Sequence, residues 1–194
     1  MAKMIDKIPK YEGERKTWEC FSANLPQQYV VYNTRSIKGW EYDFCVMAED
    51  IGLFIIEVKG WHADDIFNVV GEDSIILVGE EEPQSSPRKQ ARGYRFNMIN
   101  LLKQELGMNP LVMDLVCYPM LSKNEYYAKR LDVVSDETET IFKEDLEDAS
   151  LLFQKLMGRY NINKSTPHDD LNVKRFALIR HHFEPNYDLK QNDV

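Results

Sequence analysis

The stretch Glu41-Tyr42-Asp43-Phe44-Cys45-Val46-Met47, a short turn, and Gly52-Leu53-Phe54-Ile55-Ile56-Glu57-Val58-Lys59-Gly60 set two carboxylates and a lysine at the end of an otherwise apolar hairpin. Burying such charges is costly unless they are paired or hold a metal. Alternate side chains of a strand share a face, so Glu57 and Lys59 point one way while Phe54, Ile56 and Val58 point the other. A turn centred near Asp50 sets Asp43 opposite Glu57, with Cβ atoms about 5 Å apart. Two carboxylates that close repel one another. A divalent cation removes the repulsion, and Mg²⁺ accepts this mixture of carboxylate, backbone oxygen and water. Lys59 then stands at the rim, placed to orient a water and to stabilise charge that develops on a phosphoryl group.

An acid-x-Lys triplet carries little weight alone. With 32 acidic residues and lysine at roughly 6% of positions, about two such triplets are expected by chance, and Glu14-Arg15-Lys16 is another. Context raises the signal: an apolar strand before it, a glycine after it and an acidic partner at hairpin distance. A surface salt bridge at a strand end is the competing reading.

The 194 residues are enough for one domain with a sizeable core. Three widely spaced cysteines, Cys20, Cys45 and Cys117, form no ligand-like pair, and an odd number without a signal peptide argues for the reducing cytoplasm. No run approaches the length of about 18 apolar residues that spans a membrane, so no membrane partner is expected. A net charge of -8 argues against coating nucleic acid through overall charge. The charge is segregated, however: Arg88, Lys89, Arg92 and Arg95 fall within eight residues, whereas 132–148 is strongly acidic. One face can therefore meet a polyanion, and these four cations are its candidate phosphate contacts.

Around the hairpin, a helix is expected over 13–25, with Glu14, Trp18, Phe21 and Leu25 on one stripe. A carboxylate on that inward stripe is informative, although the helix start can also satisfy it. Short strands are expected at 28–33, 111–118, 131–134 and 138–142, and an edge pair at 66–70 and 74–78. Ser86-Pro87 caps a second helix to about Leu106, ended by Gly107 and Pro110. A third helix is expected over 145–158, then a polar linker and a last helix over 173–183. This order gives an α/β fold with a mixed central sheet flanked by helices. The chain divides into a domain over 1–158 and a linker with a helical extension over 159–194, which is expected to lead toward a further domain.

Four pieces recur in a fixed order: Gly13-Glu14, Glu41-x-Asp43, Glu57-Val58-Lys59 and Pro87-x-x-Gln90-Ala91. Together they resemble the nuclease-related domain, or NERD, of the PD-(D/E)xK phosphodiesterase superfamily, over about 12–157. The resemblance implies a restriction-endonuclease-like fold and metal-dependent hydrolysis of DNA, in DNA processing or defence against foreign DNA. It implies that Asp43 and Glu57 bind Mg²⁺ or Mn²⁺ with the backbone carbonyl of Val58, that Lys59 positions the attacking water, and that Glu14 contacts the metal directly or through its water shell. Gln90 would hold the lysine or a DNA phosphate. The same family often stands beside a helicase or other DNA-associated module. One metal site cuts one strand at a time, so duplex cleavage would call for a homodimer.

Each residue also has a bland reading. Glu57 and Lys59 can be mutual ion-pair partners, Asp43 a turn acid, Glu14 a helix-start carboxylate and Gln90 a ligand of its own backbone. His62, three residues beyond Lys59, is a candidate DNA or metal contact or merely a loop histidine. Trp40 and Trp61 can stack on a splayed base or cap the core. Two other functions therefore stand beside the nuclease: a catalytically silent nucleic-acid-binding or scaffolding domain, and an enzyme of phosphorylated small molecules, which a deep closed pocket would favour.

Overall fold

Turn chemistry and apolar alternation build the centre of the molecule. In the computed structural model, which describes residues 1–189, the chain runs through β1 (Lys3–Met4), α1 (Glu12–Asn24), β2 (Val30–Ile37), β3 (Trp40–Ala48) and β4 (Gly52–Val58). It continues with β5 (Ile66–Val70), β6 (Ser74–Leu77), β7 (Gln84–Ser85), α2 (Pro87–Leu106) and β8 (Val112–Cys117). The last described elements are α3 (Lys123–Ala128), β9 (Thr140–Ile141), α4 (Lys143–Glu147), α5 (Ala149–Asn163) and α6 (Val173–Phe183).

Six strands form one mixed sheet in the order β1-β2-β3-β4-β8-β9. β2, β3 and β4 are antiparallel neighbours, while β1, β8 and β9 join in parallel. Every residue of β4 is buried, because both faces of the sheet are covered. Phe54, Ile56 and Val58 pack with Phe21, Leu25, Leu152 and Leu156 on one side. Leu53 and Ile55 pack with Met98, Leu102, Phe176 and Ile179 on the other. The mixed sheet flanked by helices is the architecture the sequence pattern implied.

The helix that frames the site starts and stops as its sequence dictates. Ser86 accepts a hydrogen bond from the Lys89 N–H at 3.2 Å, Pro87 occupies the first turn, and Gly107 closes the helix with φ 61°.

Other segments depart from expectation for local reasons. The pair β5–β6 forms a separate sheet with β7 instead of an edge of the main one. Leu131–Val133 is a 3₁₀ turn, not a strand, and Glu137–Glu139 is another, leaving only Thr140–Ile141 extended. α3 was not anticipated; Ser122 and Glu125 cap it reciprocally. The helix expected over 145–158 is two helices. Asp148 sits extended between them and accepts from Ser150 and Leu151 N–H, so it caps α5 instead of continuing α4. The break rotates the inward face: Leu152 and Leu156 are buried, while Phe153 is exposed. α5 passes through residue 158 without interruption, and α6 packs beside α2 in the same core cluster as β4. Residues 190–194 of the expected extension lie outside the described residues.

Candidate active site

The β3–β4 pairing runs from Ala48↔Gly52 to Phe44↔Ile56, with Asp50 at the turn in the left-handed region. Continuing that register by one step sets Asp43 beside Glu57, as the hairpin geometry required. Asp43 Oδ2 accepts a hydrogen bond from the Val58 N–H at 2.7 Å. Lys59 Nζ lies 2.7 Å from Glu57 Oε1, so lysine and glutamate are paired at the strand end. The second glutamate oxygen, Oε2, is buried and no donor meets it, while the Asp43 carboxylate adjoins the Glu57 side chain.

Glu14 reaches this cluster because α1 begins against the end of β4. Gly13 touches Gly60 so closely that a methyl group on Gly13 would come within 2.7 Å of Gly60 Cα. Only a residue without a side chain permits that crossing. From the opposite layer, α2 offers Gln90, whose Oε1 is buried and unpartnered, and Tyr94 one turn later. Tyr94 has no role in the sequence pattern above. Its i, i+4 spacing from Gln90 was the available signal that both face the carboxylates.

The electrostatics reveal too little positive charge. Desolvation, then Asp43 and Glu41, push the Glu14 pKa up to about 7, with Lys59 opposing. Burial and Asp43 raise Glu57, and burial raises Asp43 despite the Val58 N–H and Lys59. Tyr94 is pushed up to about 12 by burial and by the same acids, Glu57, Asp43 and Glu41. Glu41, quoted in the sequence pattern but given no role there, thus contributes to the field. One lysine serves a group of carboxylates whose charged forms disfavour each other.

Among the described residues, no group of three or more His, Cys, Asp or Glu is arranged to hold a metal by itself. Of the donors that the resemblance implied, Asp43 and Glu57 adjoin each other and Glu57 keeps one unpartnered buried oxygen, a pair of hard donors of the kind a divalent cation takes, while Glu14 stands near them without completing such a group. The contact that Val58 makes with Asp43 is through its N–H.

The remaining predicted residues separate. His62 is exposed, and its backbone N–H donates to Asp65 Oδ2 at 2.7 Å. It is not part of the cluster. Two of the four candidate phosphate contacts are largely used inside the protein. Arg88 Nε lies 2.9 Å from Glu139, and Arg95 Nη1 lies 2.9 Å from the buried Asp114. Arg92 is 4.0 Å from Asp114 and half exposed, and Lys89 is exposed. The sequence showed four cations on a helix without showing that internal carboxylates take up their charge. Trp61 stacks on Tyr118 with ring centroids 6.3 Å apart, so it belongs to the core, whereas Trp40 is exposed.

Among the described residues, no helix is long and apolar enough to cross a membrane. A family model described as the nuclease-related domain matches residues 9–119. No curated protein sequence matches the chain. Among solved structures, the crystal structure of a repair endonuclease from Pyrococcus abyssi is similar at 16% identity and a TM-score of 0.35. The alignment covers 69% of this chain and 47% of that one, so the chain spans about half of that protein's length.

Proposed function

This chain belongs to the nuclease-related domain family, and from that premise we propose that it hydrolyses phosphodiester bonds of DNA with the help of Mg²⁺ or Mn²⁺. The observation that carries the reading is the under-neutralised cluster of Glu14, Asp43, Glu57 and Lys59, with its unpartnered Glu57 oxygen. Asp43 and Glu57 would hold the cation, and when bound it supplies Lewis acidity at the phosphoryl oxygens.

The side chains do the rest. Lys59, fixed by Glu57, donates hydrogen bonds that orient the attacking water and offset charge developing on the phosphoryl group. Glu14, which burial and its acidic neighbours push up to about 7 in the metal-free cluster, stands where its carboxylate can take the proton that the water loses. The Val58 N–H holds Asp43 in place through a charge-assisted bond. Gln90 has a free buried oxygen with which to orient Lys59 or a bound water. Gly13 and Gly60 fix the distance between α1 and β4 on which this alignment depends.

Cleavage of closed circular and linear DNA, single-stranded and duplex, tests the proposal with each cation. Comparison with Asp43→Ala and Lys59→Ala should show metal-dependent cutting by the unaltered chain alone. Undetectable cutting by all three, with no metal-induced change in melting, would overturn it and favour a silent binding domain. A neighbouring DNA-associated module and a second copy for duplex cutting belong to the same proposal.

A further inference from the structure

A groove of about 650 Å³ opens between the start of β3 and the exposed side of α2. Its size lies in the range of small-molecule sites, about 300–1,000 Å³. It adjoins the catalytic cluster, because Gln90 and Tyr94 line it as well. Two large aromatic side chains also line it and are largely in solvent: Trp40 is 62% exposed and Phe96 54%. Neither is needed by the core.

The backbone ties the two walls of this groove together and leaves it open. Trp40 follows the two-residue turn Lys38-Gly39, where both residues have positive φ, 51° and 83°, as tight hairpins require. Lys38 Nζ donates to Gln104 Oε1 at 2.8 Å and ties that turn to α2. Gly93 lines the groove from the middle of the 20-residue helix. A glycine there weakens the helix by about 1 kcal/mol relative to alanine. No packing demands it, since a methyl group on Gly93 would meet nothing within 4 Å, and its φ is not positive. What Gly93 does is keep the groove floor free of a side chain.

We propose that this groove binds one unstacked nucleobase of a single-stranded segment next to the scissile phosphate, with Trp40 and Phe96 as stacking faces above Gly93. The proposal rests on the nuclease reading and narrows its substrate to single-stranded or locally opened DNA. Every base has a π-face, so aromatic walls bind bases with little regard to sequence. Asn97 and Gln90 can meet the polar edge of the base, and both line the groove. Lys89, at the rim, has no carboxylate partner among the described residues and suits the adjoining phosphate. A base inside an intact duplex cannot reach these side chains without leaving its stack.

Fluorescence anisotropy in EDTA, with no cutting, separates base from backbone binding. An oligothymidylate should bind more tightly than an all-abasic strand of equal length, by about five- to 150-fold. Trp40→Ala, Phe96→Ala and Gly93→Leu should each shrink that advantage, while Trp40→Phe should keep most of it. All three sites are exposed, and unchanged melting will show that the variants fold. Equal affinity for the two strands, or an undiminished advantage in Trp40→Ala, would overturn the groove proposal. Metal-dependent cutting is measured in parallel on the same proteins. Cutting without base-dependent binding removes the groove proposal and leaves the nuclease standing. Base-dependent binding without cutting, and without a metal-induced change in melting, removes the nuclease and leaves the groove as a single-strand binding site.

Discussion

Two clusters of buried charge stand side by side on one sheet, and they are balanced in opposite ways. On β4, Glu57 joins Asp43 and Glu14 with Lys59 as cation, and a buried oxygen is left without a partner. On the adjacent β8, Asp114 pairs across from Ile55, only two residues from Glu57 along the register. Asp114 meets Arg95 at 2.9 Å, Arg159 at 3.2 Å and Arg92 at 4.0 Å. Glu139 meets Arg88 at 2.9 Å and Arg159 at 3.6 Å. Two carboxylates thus face four guanidinium groups. The second cluster satisfies its buried acids from within the chain, while the first leaves charge unanswered. That difference, more than burial itself, separates an internally neutralised fastening from the cluster that is the candidate for a ligand.

The sharpest way to break the comparison is to neutralise one acid in each cluster. Asp114→Ala strands buried guanidinium groups and should cost about 3–5 kcal/mol in denaturant unfolding. Glu57→Gln relieves repulsion from Asp43 while losing the Lys59 pair, so its stability change should stay within about 1 kcal/mol, yet cutting should disappear. Equal destabilisation by the two would show that both clusters are structural.

The glycine crossing comes next. Gly13→Ala places a methyl group where Gly60 Cα would be 2.7 Å away, so α1 must shift. Unfolding should cost about 1–3 kcal/mol, whereas cutting should fall by about a hundredfold, because a shift on the order of 1 Å is enough for that. A variant with normal cutting would remove Glu14 from the active arrangement.

The carboxylate surplus should also appear in the pH dependence of melting. Glu14 ionises near 4.5 when unfolded and near 7 when folded. Between those values the folded state holds the extra proton, so this contribution to stability is lost as pH rises. Asp43 and Glu57 act with the same sign, being raised too. In EDTA the protein should melt lower at pH 8 than at pH 5.5. Mg²⁺ or Mn²⁺ should restore melting at pH 8 by binding the ionised folded form, and Asp43→Asn should blunt both effects. A melting temperature insensitive to the cation at pH 8 would break the comparison from the other side.

The smallest effect is expected at Arg92, the most exposed arginine around Asp114. Arg92→Ala should change stability by less than about 1 kcal/mol. If Arg92 contacts phosphate, the slope of log affinity for DNA against log salt should weaken by about one charge. Lys89→Ala is the control on the groove side.

Much of the carboxylate cluster was legible because it is local. Strand alternation, a turn at Asp50 and the antiparallel register are enough to bring Asp43 to Glu57 and to point Lys59 the same way. The capped start of α2 at Ser86-Pro87 follows equally from short-range chemistry. Tyr94 escaped notice because helical periodicity cannot tell an apolar stripe from one that ends in a cluster of acids. The break at Asp148 escaped because a continuous apolar pattern concealed a residue that caps the following helix.

By itself, then, the sequence determined the mixed α/β architecture, the paired strand-end carboxylates and the lysine beside them, since periods of two and of 3.6 residues fix which side chains share a face. Only the tertiary structure decided what balances each charge. Asp114 and Arg159 are far apart in the chain, as are Glu139 and Arg88, and their pairing depends on packing that no local period encodes. The same packing turned Arg88 and Arg95 inward, brought Glu14 over Gly60 and left one glutamate oxygen without a partner.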